Sequence, residues 1–350
     1  MTYPFEGLRV VECAGVLAGP AVGMYFAELG AEVVKIEPPA GDVTRSWLLP
    51  GETVSSYYSC VNWGKKVVTM DLARENEPLL AMLAEADVFL ANFKPGSAEK
   101  LGLDYPTLSK QFPRLIYGSV TGYGPSSRRA GYDAVVQAES GLMFLNAEPG
   151  GRPMKAPIAI VDVLAAHQLK AGLTAALYVR EKTGRGAWVQ TSLIEAGVSA
   201  LINQGAAWLF SGRAPRPTGS EHPAIAPYGG VYECVDGPMI LAVGNDAQFR
   251  ELCRIVGLDP SLFPTNARRV ENRPELDALL RPLVEARRRE ALLAELHAAG
   301  VPAGAVFRVE EATKIPEVAH LLFDPQSGLR SVAFRFGDEP FRRPLTPPAL

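Results

Sequence analysis

Residues 8–37, LRVVECAGVLAGPAVGMYFAELGAEVVKIE, decide the fold of this chain. LRVVECA (8–14) is rich in β-branched residues and bounded by Gly7 and Gly15; Pro20 suits the first turn of a helix, where its missing N–H is not needed. That helix runs to about Leu29, Gly30 is placed to cap it, and AEVVKIE (31–37) reads as a buried strand stopped by Pro38 and Pro39. A strand, a helix and a strand joined this closely form a parallel pair, with the helix on a sheet face.

The pattern recurs downstream. ENEPLLAMLAEA (75–86) is helical, DVFLANF (87–93) is a strand, and RLIYGSV (114–120) is another strand after a short helix near 105–110. A longer helix is expected over 163–182, ended by Thr183, Gly184, Arg185 and Gly186, with WVQTSL (188–193) as the next strand. This alternation predicts an α/β fold with a Rossmann-like open parallel sheet. Past about residue 212 the texture changes: SGRAPRPTGSEHPAIAPYGG is rich in Pro and Gly and reads as a crossing between domains. GVYECVDGPMILAVG then reads as a β-hairpin turning at Asp236 and Gly237, followed by helices at about 246–256, 274–286 and 288–299 and a strand at 303–309. The expected organisation is a large Rossmann-like domain over 1–212, rejoined by about 325–350, and a smaller α+β domain over 213–324.

Bulk properties narrow the function. A length of 350 residues suits two domains, and 47% hydrophobic with 21% charged residues is ordinary for a globular protein. A net charge of −3 carries no global footprint for nucleic acid. Cys13, Cys60, Cys234 and Cys253 form neither a CxxC pair nor a disulfide ladder, which fits a reducing compartment. The N-terminus lacks the layout of a signal peptide, and the most apolar helix is interrupted by His167, Gln168 and Lys170, so a cytoplasmic protein without a membrane span is expected. His222, His297 and His320 show no metal spacing, so no metal site is expected. GxSxG and P-loop patterns are absent. Lys65 and Lys66 read as a solvated face.

Three segments carry candidate chemistry. AGVLAGP (14–20) joins a strand to a helix at the carboxyl edge of the sheet, where its backbone N–H groups favour an anionic or carbonyl ligand; a tight turn with glycines for geometry alone reads equally well. In NFKPGSAEKLG (92–102), Asn92 offers hydrogen bonds, Phe93 a stacking face, and Lys94 and Lys100 two positive charges, a combination that suits an adenine nucleotide with several phosphates. A plain strand-to-helix turn with solvated lysines has the same spacing. In APIAIVDVLAAHQLKAGLTAAL (156–177), Asp162 sits between a strand-like apolar run and a helix, where an aspartate most often serves as an N-cap. Its apolar flanks also allow another role: a partly desolvated carboxylate is a stronger nucleophile.

Five segments together resemble the class III CoA-transferase family of the CaiB/BaiF type, which contains formyl-CoA transferase, carnitine CoA-transferase and α-methylacyl-CoA racemase. They are GLRVVECAGVLAGPAVGMYFAELGAEVVKIEPPAGDVTR, ANFKPGSAEKLGLDY, SVTGYGP, GYDAVVQAESGLM and IVDVLAAHQLKAGLTAALYVREKTGRG, in sequence order. The resemblance implies an interlocked homodimer with acyl-CoA and carboxylic acid substrates, coenzyme A as co-substrate and no tightly bound cofactor. It implies that Asp162 is the nucleophile, that Leu17 and Ala18 lie against CoA, and that Met70, Leu72, Ala73, Asn92, Phe93, Lys94 and Lys100 hold the nucleotide. Gly131 and Tyr132 fall beside the thioester. Where the racemases carry histidine, this chain has Tyr132, a poor base near neutral pH, which disfavours α-proton exchange. Racemase and CoA-binding protein without transfer are the alternatives. Leu17 stands where formyl-CoA transferase has glutamine.

Overall fold

The computed structural model describes residues 3–321, 329–340 and 343–348, so part of the expected return over 325–350 lies outside the described residues. The chain divides into two compact units. One holds the residues up to Met143, Lys155–Arg213 and those from Pro316 onward; the other holds Phe144–Met154 and Ala214–Ile315. Residues 144–154, expected in the large domain, therefore belong to the smaller unit, and the return begins at Pro316 rather than near 325.

The large unit is built on six parallel strands: β1 (Arg9–Cys13), β2 (Glu32–Glu37), β3 (Lys65–Thr69), β4 (Val88–Ala91), β5 (Ile116–Thr121) and β6 (Trp188–Ser192). Their order is β3-β2-β1-β4-β5-β6. The order reverses between β1 and β4, where Val10 pairs with Val88 and Cys13 with Ala91. Those two strands end level, so the segments that follow them leave side by side and open a crevice at the topological switch point.

Burial on both faces explains why the strands read as continuous apolar runs. Val10, Val88, Leu90 and Ile116 point into one core with helices Ala18–Glu28, Ile160–Thr183 and Leu193–Ser199, while Val11, Phe89, Ala91 and Tyr117 point into the other with helices Glu77–Ala84 and Tyr105–Gln111. Helix Ile160–Thr183 has the length and apolar content of a membrane span, but half of its apolar stretch is buried in the first core.

Three sequence expectations need correction. Lys65 opens β3 and is 3% exposed, so only Lys66 faces solvent; the side-by-side lysines sit on opposite faces of a strand. The apolar run before Asp162 is not a strand: the helix begins at Ile160, two residues ahead of the aspartate. Helices Asp133–Glu139, Leu193–Ser199 and Ile202–Ser211 were not expected from the sequence pattern.

The smaller unit pairs β7 (Tyr228–Cys234), β8 (Gly237–Ala242) and β9 (Ala303–Ala305) in an antiparallel sheet. The expected last strand, 303–309, is only three residues long. Tyr232, Met239 and Leu241 pack there with Phe249, Leu280 and Leu296 from helices Asp246–Val256, Arg273–Glu285 and Arg289–Ala298.

Candidate active site

A cavity of about 300 Å³ occupies the switch point of the large unit. It is lined by the segments after β1 (residues 15–18) and β4 (92–95), by the end of β5 and the glycine after it (120–122), by 129–132, and by Asp162 and Leu193. Its wall is tight where two backbones cross: a Cβ on Gly131 would lie 2.4 Å from the Gly122 Cα. Glycine is required at both positions by that approach.

Asp162 sits in the first turn of helix Ile160–Thr183, whose N-cap residue, Ala159, has no capping side chain. The capping bond comes from elsewhere in the fold. Asp133 Oδ1 accepts the Val161 N–H at 2.8 Å, and Gln137 Nε2 donates to Asp133 Oδ2 at 2.6 Å and to the Ile158 carbonyl at 3.1 Å. Asp133 thus supplies the capping acceptor that Ala159 lacks, and the Asp162 side chain, on the third helical residue, is left unengaged.

Asp162 is 9% exposed, and among the described residues nothing hydrogen-bonds its carboxyl. Burial pushes its pKa up to about 7, with a further contribution from the negative charge of Asp133. The helix N-terminus favours the carboxylate, but the loss of hydration outweighs it. Tyr57 feels the same field: burial first, then the charge of Asp162, pushes its hydroxyl up to about 12, so it stays protonated. Its ring meets Trp47 edge to face at 5.0 Å. Neither Asp133 nor Tyr57 stood out in the sequence, because no local spacing announces a partner 29 or 105 residues away.

The structure brings Leu17, Ala18, Asn92, Phe93, Lys94, Gly131 and Tyr132 together with Asp162 around one cavity. Tyr132 is 60% exposed, and Phe93 and Lys94 also border a neighbouring cavity with Tyr105 and Trp188. Leu72, Ala73 and Lys100 do not join them; they line a separate surface cavity of about 360 Å³. Met70 is half-buried against the second core. His167, read from the sequence as a packing residue, is exposed.

With this geometry in view, the comparisons with known proteins fix the class. The model of CoA-transferase family III matches residues 5–350. The chain belongs to CoA-transferase family III and is an enzyme of that family. It is 39% identical over 332 residues to the succinate–glutarate CoA-transferase of Agrobacterium fabrum, spanning 90% of this chain and 83% of that one. It is 36% identical over 328 residues to the acetyl-CoA:oxalate CoA-transferase of Acetobacter aceti, spanning 90% and 84%. The crystal structure of a CaiB/BaiF family protein from Brucella suis superposes with a TM-score of 0.87 at 38% identity, covering 100% of this chain and 97% of that one.

Proposed function

We propose that this enzyme moves CoA between a short acyl-CoA and a dicarboxylic acid, with Asp162 as the covalent carrier. The observation that carries the reading is a buried carboxylate without a hydrogen-bond partner among the described residues, on the wall of the cavity at the switch point. A weakly solvated carboxylate has little hydration to shed before attack.

In the first step an Asp162 oxygen attacks the donor carbonyl, the C–S bond breaks, and a mixed anhydride and CoA thiolate form. The thiolate then attacks the Asp162 carbonyl, releasing the donor acid and leaving an aspartyl-CoA thioester. The acceptor carboxylate attacks that thioester, regenerates thiolate and forms a second anhydride. Thiolate attack on the acceptor carbonyl releases the new thioester and frees Asp162. A thioester is exchanged for a thioester, so the reaction asks for no ATP.

The cavity lined by Leu72, Ala73 and Lys100 suits the nucleotide end of CoA, with the thioester beside Asp162. Lys94 and Arg129 are the cationic side chains of the Asp162 cavity. Arg129 stacks on Tyr123 at 4.1 Å and pairs with Glu139 at 2.5 Å, which fixes its place at the cavity wall. The acids named for the two relatives, succinate, glutarate and oxalate, are dicarboxylic, and a second carboxylate would find these cations. A homodimer is supported by helix Ile202–Ser211, on which Ile202, Leu209 and Phe210 are 80%, 82% and 93% exposed.

The test replaces Asp162 by Ala and by Asn and measures transfer and CoA binding separately. The expected result is loss of transfer by at least about a thousandfold with CoA affinity kept within a few-fold. Transfer retained in Asp162→Ala would end the proposal.

A further inference from the structure

We propose that Asp42 and Asn92 are positioning residues for transfer, which clamp loop 14–17 so that the unpaired backbone N–H groups at its end, where the next helix begins, face the cavity of Asp162. The inference rests on the transfer reading above.

The loop is held in a conformation it would not choose. Val16 has φ 71°, a left-handed backbone that β-branched side chains rarely adopt. Such a residue persists only where its surroundings over-determine it. Here they do. Asn92 binds Gly15 on both sides, accepting its N–H on Oδ1 at 3.1 Å and donating Nδ2 to its carbonyl at 2.8 Å. Asp42 Oδ2 accepts the Val16 N–H at 3.3 Å. Lys35 Nζ donates to the Ala14 carbonyl at 2.6 Å, and Lys65 Nζ to the Pro20 carbonyl at 2.8 Å.

The anchor beneath the loop is a row of buried charges of alternating sign. Lys35 Nζ lies 3.0 Å from Asp42 and 3.2 Å from Glu12, and Lys65 Nζ lies 2.9 Å from Glu12. All four side chains are at most 2% exposed. Asp42 is fixed further by the Thr44 N–H at 3.0 Å and hydroxyl at 2.8 Å on its other oxygen. Gly23 leaves the space the row needs, since a Cβ there would lie 1.8 Å from Glu12 Oε2.

Past Val16 the N–H groups of Leu17, Ala18 and Gly19 have no partner among the described residues. Leu17 and Ala18 line the cavity, and helix Ala18–Glu28 starts there. Each carbonyl attack in transfer puts negative charge on an oxygen, and preorganised N–H donors are what that oxygen requires. The second observation at this helix end is Asp162 itself, buried, unpartnered and on the same wall. Asn92, expected to serve the nucleotide, instead has its amide engaged on both sides with Gly15.

The test is a set of variants assayed well below their melting temperatures: Asp42→Asn, Asn92→Ala, and each combined with Val16→Gly. Asp42→Asn and Asn92→Ala are expected to lower kcat about ten- to hundredfold while KM for the acyl-CoA changes less than about threefold. Glycine takes a positive φ without strain, so adding Val16→Gly should restore about tenfold of the lost kcat. A purely structural role, or an Asn92 contact with the nucleotide, gives no such rescue. Single variants with kcat within about threefold of the parent, or double variants no faster than the corresponding single, overturn the clamp. If Asp42→Asn does not fold, the Asn92→Ala pair decides alone, because it strands no buried charge. Hydroxylamine trapping at Asp162 in the parent separates the two readings: no adduct means that the transfer proposal fails, and an adduct with unaffected single variants means that only the clamp fails.

Discussion

At the residue scale, the proposed chemistry depends on one carboxyl that the capping of its helix by another residue leaves free. Asp133 caps the helix, so Asp162 is buried without partners among the described residues and its pKa stands at about 7. If Asp162 is the nucleophile, its ionised form attacks, so kcat/KM should fall tenfold per pH unit below about 7 and level off above it. A profile flat from pH 5 to 8 would contradict this. The same shift acts on stability, with the opposite sense from a salt-bridged aspartate. A carboxyl pKa raised by folding means that the native state holds its proton more tightly, so stability is lost as pH rises from about 4 to about 7. At about 1.4 kcal/mol per unit the loss amounts to a few kcal/mol. Asp162→Asn should therefore melt several degrees above the parent at pH 8, and the difference should shrink toward pH 4.5; thermal melts across that range check it. Asp162 stood out in the sequence because apolar residues flank it on both sides. Asp133 and Tyr57 did not, since only the folded chain brings them near it.

At the scale of elements, the strands were legible and their partners were not. VVEC, VVKI and VFLA read as strands because burial on both faces demands continuous apolar runs. The run IAIV before Asp162 has the same texture but opens a helix, because a short apolar run fits either element. The lysines of β3 misled in the other direction: Lys65 is charged yet buried, and its partner Glu12 lies two strands away. The crossing of Gly122 and Gly131 shapes the wall of the cavity without a side chain. Gly131→Ala would force a methyl group against the Gly122 backbone, with a cost of about 1–3 kcal/mol and a marked drop in transfer. Denaturant melts and initial rates on that variant test the point; unchanged stability would show that the crossing yields.

At the scale of the molecule, the strand order places the ends of β1 and β4 together, and this order, more than any motif, gathers residues from positions 15 to 193 around one cavity. The sequence pattern implied a parallel sheet but not the strand order, because crossovers leave no local mark. The bare apolar face of helix Ile202–Ser211 is expected to be covered by a second copy. Phe210→Asp together with Leu209→Asp should convert a dimer to a monomer in sedimentation, whereas a parent that sediments as a monomer would remove the expectation.

If Asp162 carries the acyl group and then CoA, its carboxyl must exchange oxygen with the acids it serves. Turnover with an acceptor acid labelled with ¹⁸O in its carboxylate, followed by digestion and mass spectrometry, reads this exchange directly. Covalent carriage predicts that label enters the peptide containing Asp162, because each acceptor anhydride leaves one acceptor oxygen on that side chain. A peptide that stays unlabelled after many turnovers would rule it out.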